Sequence, residues 1–188
     1  MKIILSPDLA LRQKSEEITL DELPKMAKIA EKMAKLMYKF EGCGLAAPQV
    51  GVAKRMIVID TTLPVEGEER PQDPIFLLNP KITKLGDEME YGPEGCLSIP
   101  GITVDIDRAL YIELEAMDID GSLLEISAEG FDARALQHEM DHLDGITMFE
   151  HLDAIARAAK LKEYDEALAA GAKPGDTSVD KDELRIKS

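Results

Sequence analysis

His138-Glu139-Met140-Asp141-His142 is the stretch on which the reading of this chain turns. On a helix, residues four apart stand one turn above the other on the same face. Two imidazoles so placed converge on one ion, and the glutamate between them reaches a water beside it as general base. The chain holds 3 histidines, and two of them fall here. A solvated polar helix face would give the same spacing. The neighbours argue against that: Phe131 and Ala135 share the stripe of His138, Glu139 and His142 and turn it inward. Burying two imidazoles and a carboxylate without partners costs on the order of several kcal/mol, and a metal removes that cost.

A catalytic ion normally takes three protein ligands, so one is missing. Downstream, Glu150 and His151 are near in sequence. The spacing of His151 from Gly145 does not suit the pattern in which a third histidine lies six residues past the second, and it reads as a surface residue beside the last helix. Upstream, Cys96 sits in Pro93-Glu94-Gly95-Cys96-Leu97-Ser98-Ile99-Pro100-Gly101, a bend able to aim a side chain rather than an apolar run that would bury one. On the residues alone the choice stays open. A third run, Gly42-Cys43-Gly44-Leu45-Ala46-Ala47-Pro48-Gln49, leaves its main chain accessible, so an extended ligand can pair with it as an added strand. The same glycines would also serve a tight helix-to-strand connection. Cys43, with no acid or base in the local sequence, reads as a packing thiol.

Around these runs the elements are legible. Thr19 and Glu22 have capping-box spacing, and Met26, Ile29, Met33, Leu36, Met37 and Phe40 recur at helical intervals up to Gly42. Met56–Ile59 and Ile75–Leu78 read as buried strands, the second ended by Asn79-Pro80, with a polar loop over 64–74 between them. Leu110 to Ala116, the Asp120-Gly121 turn signal and Ser122 to Ala128 predict a hairpin. Helices are predicted over 131–143, closed by Gly145, and over 153–170, opened by Asp153. That order predicts an α+β domain of mostly antiparallel sheets around a central metal-binding helix. Residues 1–170 are expected to form one domain and 171–188 a loose acidic tail.

A chain of 188 residues suits one core. The net charge of −15, with no local basic patch, argues against a direct nucleic-acid ligand. No apolar stretch approaches the roughly 20 residues that cross a bilayer, and the N-terminus lacks a secretory pattern, so a cytoplasmic location is expected. Lys181-Asp182-Glu183-Leu184 spells an ER-retention signal but is followed by four more residues, so it is not read as one.

Gly42 to Gln49, Glu94 to Ser98 and Gln137 to His142 together resemble the three signature motifs of peptide deformylases, in the same order; the resemblance covers about residues 1 to 165. It implies Cys96, His138 and His142 as metal ligands with a water in the fourth position, and Glu139 as the group that takes and returns a proton. It implies Gln49 and the Leu97 main-chain N–H as donors to the oxyanion. Glu94 and Arg108 would form a supporting pair, although Arg108 as a plain surface residue stays open. The implied ion is Fe(II) in the cell, with Ni, Co or Zn accepted. The implied substrate is an N-formylmethionyl nascent peptide, paired along Gly44 and the Cys43 run, its methionine between Phe131 and Ala135. Arg134 stands beside them where an apolar residue is expected. Family members that dock on the ribosome often use a basic C-terminal helix; the segment from Asp153 is mixed and then acidic, so at most transient proximity is expected. No membrane partner is expected, and a monomer is. Two rivals stand beside this reading. One is a metallopeptidase using His138, His142 and a downstream acid. The other is a domain in which the ion only holds the fold.

Overall fold

The capping box acts across a single 3-10 turn, Leu20–Glu22: the Thr19 N–H donates to Glu22 Oε2 at 3.0 Å. Helix α1, Leu23–Lys39, follows, and its Met26, Ala30, Met33 and Met37 are buried at helical spacing. The computed structural model describes residues 1–62, 67 and 69–176. Seven strands come next in the chain: β1 (Gly44–Ala46), β2 (Met56–Ile59), β3 (Ile75–Leu85), β4 (Met89–Cys96), β5 (Ile99–Ala109), β6 (Tyr111–Met117) and β7 (Leu123–Glu129). Helices α2 (Gly130–Leu143) and α3 (Ala154–Ala169) complete the set.

The α+β architecture is the predicted one. Strands β1-β2-β3-β6-β7 form one sheet and β4-β5 a separate ribbon, and every strand pair is antiparallel. Helix α2 runs between sheet and ribbon and touches both. That placement changes one expectation. Instead of a single inward stripe, α2 is buried continuously from Ala133 to Glu139, because it has protein on more than one side.

Two strand predictions are corrected. Asn79-Pro80 does not end β3, which continues to Leu85. The Asn79 backbone turns left-handed, with φ of 51°, and the pairing with β6 shifts between Leu78 and Lys81, so the proline sits in an irregularity where it owes no ladder hydrogen bond. The Asn79 side chain braces the bend: Oδ1 accepts from Ile18 N and Nδ2 donates to Ile18 O, each at 2.8 Å. The β4-β5 ribbon is absent from the predicted elements. Its first strand, with two glycines and a proline, has poor strand propensity, while Ile102, Val104 and Ile106 of the second do alternate and are buried.

Helix α3 begins as predicted, with Asp153 Oδ1 accepting from the N–H groups of Ile155 and Ala156. It lies on β5 and buries Tyr164, whose hydroxyl donates to Ser6 O at 3.1 Å. The segment expected to be loose is tied down over 171–176: Ala172 N donates to Ala167 O at 3.0 Å, and Gly101 N to Asp176 O at 2.7 Å. Residues 177–188, with Lys181-Asp182-Glu183-Leu184, and most of the 64–68 part of the predicted loop lie outside the described residues. Among the described residues, no helix is long and apolar enough to cross a membrane.

Replacing Asn79 removes two hydrogen bonds and puts a less tolerant residue at positive φ. Asn79→Ala is expected to destabilise by about 2–3 kcal/mol, and Asn79→Gly to recover the backbone part only. Urea unfolding measures both. An alanine variant unfolding at the wild-type midpoint would show that Asn79 does not brace β3.

Candidate metal centre

Cys96 is the last residue of β4 and pairs with Ile99 across the Leu97-Ser98 turn, so the bend seen in the sequence is a hairpin tip. The tip carries the sulfur to α2, where Sγ lies 3.2 Å from His142 Nε2. The imidazoles of His138 and His142 stand one turn apart, ring centres 4.9 Å apart and nearly perpendicular. Cys96, His138 and His142 offer ligand atoms all within 4.8 Å of one another, the one such group among the described residues.

Charge inside this group is already balanced for an ion. Burial pushes the Cys96 thiol up, but His142 and His138 outweigh it and hold it at about 5. Burial disfavours a charged His138, yet Cys96 and Glu94 raise it well above an ordinary imidazole. The protein therefore favours a thiolate beside a positive charge, which an ion supplies in place of a proton. Glu94 Oε2 lies 2.8 Å from His138 Nδ1. Burial alone would raise its carboxyl, but Arg108 and His138 hold it far below the usual carboxylate range. An ionised Glu94 can only accept, so Nδ1 carries the hydrogen and Nε2 is left as the donor atom.

Glu139 projects from the same helix into this group. It is buried, and Oε2 has no protein partner. Burial raises its carboxyl to about 7 against the pull of His138 and His142. A buried thiolate, two imidazoles and a carboxylate with one unpartnered oxygen in one place fit a metal centre with a proton-handling acid beside it.

Residues 1–158 match the family model described as Polypeptide deformylase. The chain belongs to the polypeptide deformylase family. Such an enzyme removes the formyl group from an N-terminal methionine. The peptide deformylase of Zymomonas mobilis is 40% identical over 162 residues, covering 86% of this chain and 91% of that protein. Among solved structures, peptide deformylase from Ehrlichia chaffeensis superposes with a TM-score of 0.78 at 33% identity, over 89% of this chain and 96% of that one. The enzyme from Synechococcus elongatus, solved in complex with actinonin, gives 0.75 at 36% identity, over 89% and 85%.

Of the other predicted site residues, Cys43, Gly44, Leu97, Phe131, Ala135 and Glu139 line one open cleft, whereas Gln49 and Arg108 are not among its lining residues. Gly44 is a glycine for a local reason: a Cβ there would lie 2.5 Å from Glu139 Oε1. Burial pushes the Cys43 thiol up, in keeping with a packing role. Gln49 is buried behind the sulfur; its Oε1 accepts from Ala46 N at 2.8 Å, and its Nε2 faces Cys96 Sγ at 3.5 Å and Ser98 Oγ at 3.2 Å.

Arg108 is no surface residue. Its Nε and Nη2 donate to Glu94 at 2.7 and 3.0 Å, and its Nη1 to Asp141 Oδ2 at 2.7 Å. Two residues go beyond the sequence reading. Arg134, out of place in an apolar wall, reaches across to the ribbon, donating to Glu94 Oε1 at 3.2 Å and to the carbonyls of Ile106, Gly92 and Glu90 at 2.8, 3.1 and 2.6 Å. A buried arginine needs such acceptors, and that need was the available signal. His151, read as an ordinary surface residue, lies 2.7 Å from Asp141 Oδ2, the oxygen Arg108 also holds. Glu150 accepts from the N–H and hydroxyl of Thr147 in a capping box, away from the group a downstream acid would have to join.

Arg108→Leu would leave Glu94 with less positive charge and His138 less firmly oriented. It is expected to weaken Ni(II) or Co(II) binding by roughly 10–100-fold. Competition with a chelator measures this, and wild-type affinity in the variant would remove Arg108 from the support of the site.

Proposed function

We propose that this chain is a metal-dependent hydrolase that removes the formyl group from the N-terminal formylmethionine of nascent polypeptides and releases formate. The observation that carries the reading is the buried Glu139 carboxylate, its Oε2 without a protein partner, beside the Cys96–His138–His142 group. Cys96 Sγ and one nitrogen of each histidine would hold one divalent ion. When bound, that ion supplies Lewis acidity, polarising a carbonyl and making a water easier to ionise. The iron-group ions and zinc all suit a thiolate with two imidazoles; Fe(II) is the proposed ion in the cell, with Ni, Co or Zn able to replace it. An oxidisable thiolate favours a reducing cytoplasm.

The chain's own residues divide the work. Glu139 accepts a proton from water as its oxygen adds to the formyl carbon. It then gives that proton to the peptide nitrogen as the C–N bond breaks, and a carboxyl held near neutrality by burial suits both transfers. Gln49, turned toward the sulfur, and the Leu97 N–H, at the hairpin tip after it, are assigned to the oxyanion, where one such donor is worth on the order of a hundredfold in rate. Among the described residues strand β1 pairs with β2 alone, so its other edge has no strand partner and can take the peptide main chain near Gly44. The methionine side chain lies between Phe131 and Ala135. A net charge of −15 supports a nascent chain as partner rather than ribosomal RNA, with the enzyme acting as a monomer.

Anaerobically prepared protein loaded with Fe(II), Ni(II) or Co(II) is expected to release formate from formyl-Met-Ala-Ser, and a chelating hydroxamate to stop it. No formate with any of the three ions would overturn the proposal. Glu139→Gln is expected to keep its ion and lose at least about a hundredfold in kcat. Cys96→Ala is expected to lose the ion; full metal content and turnover in that variant would favour a different ligand set.

A further inference from the structure

Gly175 lines the same cleft as Cys96 and Glu139, although the family match ends at residue 158. It belongs to a small turn closed from both ends: Lys173 N donates to Asp176 Oδ2 at 2.8 Å, and Asp176 N to Lys173 O at 2.9 Å. The turn is attached to the domain on two sides. Toward the ribbon, Gly101 N donates to Asp176 O at 2.7 Å, and a Cβ on Gly101 would lie 2.9 Å from that of Ala172. Toward α1, Gly175 packs so closely on the end of the helix that its own Cβ would lie 2.8 Å from Phe40 O. With φ of +95°, Gly175 is held in a conformation that a side chain would strain. Bare backbone is what this wall presents.

From Phe40 the chain runs on to Gly44, which sits against Glu139. Four residues of backbone span at most about 14 Å, and this run is shorter than that, because Glu41 turns left-handed and Gly42 N donates back to Met37 O. A substrate whose formyl group lies at Glu139 and whose main chain follows this run would reach the turn within its first four residues. We propose that the turn Lys173–Asp176 is the far wall of the substrate cleft and holds the main chain of the residues that follow formylmethionine. This rests on the deformylase reading above. Gly175 is the residue of the turn that lines the cleft and it presents no side chain, so this contact senses substrate length rather than residue identity; side-chain contacts in this part of the cleft come from Phe40 and Glu41 instead. That suits substrates that share only their first residue.

The test compares the full chain with versions ending after Asp176 and after Ala172, all loaded with the same ion. Substrates are formyl-Met-Ala, formyl-Met-Ala-Lys-Ala and formyl-Met-Ala-Glu-Ala. The chain ending at Asp176 should match the full chain. Ending at Ala172 should raise the KM of both four-residue peptides, relative to that of formyl-Met-Ala, by about threefold or more, as expected for losing one or two hydrogen bonds. Gly175→Ala, which displaces the turn without deletion, should move the same ratio in the same direction. The proposal is overturned if the ratio stays fixed in both variants, or if only one of the two charged peptides responds. Failure of the full chain on every formylated peptide would instead sink the deformylase reading.

Discussion

Glu94 is the residue on which the assembly of the site depends. One buried carboxylate accepts from Arg108, Arg134 and His138, so it joins the strand that ends in Cys96 to the helix that carries both imidazoles. Buried charges are costly unless the pairing is nearly complete, and removing one partner typically costs about 3–5 kcal/mol. Here the pairing is dense: two guanidiniums also take main-chain carbonyls of β4 and β5 and the Asp141 carboxylate. The network orients the His138 ring and fixes the separation of ribbon and helix. Small errors in that separation would take the sulfur out of reach of the rings.

Three apolar clusters set the frame in which this network works. One lies between α1 and the first two strands, a second joins the sheet to α2, and a third packs α3 and the Met148–His151 turn on β5. Cys96 belongs to the third cluster and Leu97 to the first, so the hairpin tip is gripped from both sides by packed hydrocarbon. Precise placement comes from this packing, because interiors are dense and yield little. The close fit of Gly44 on Glu139 is part of the same construction: one methyl group would take the space of the carboxylate oxygen.

The Asp141 carboxylate extends the network outward. Arg108 and His151 share one of its oxygens, and His151 is partly exposed. A continuous row of charged and polar groups therefore runs from the protein surface through Asp141, Arg108 and Glu94 to His138. The helix motif thus has a tertiary partner at each of its five residues: His138 and His142 meet in the metal group, Glu139 meets Gly44, Asp141 meets Arg108, and Met140 packs on the second apolar cluster.

The sequence by itself determined the pair of histidines with the glutamate between them and the class of fold; the third donor, Cys96, came only through resemblance. Helical spacing placed His138, Glu139 and His142 on one helix, and strand alternation puts Ile112 and Leu114 on one face, opposite Glu113 and Glu115. Those signals are local, because a face is a property of one element's own period. What only the tertiary structure decided is which faces meet. Glu94 and Arg134 lie 40 residues apart, Cys96 and His142 46 apart, and no periodicity relates them. The ribbon stayed hidden because glycine and proline are unfavourable in its first strand, and packing against α2 and α3 overrode that propensity. Arg134 looked misplaced because its acceptors are carbonyls of strands that the sequence did not reveal. Residues 171–176, without an apolar period, found their place through backbone contacts at Gly101 and Phe40, which carry no side-chain signature.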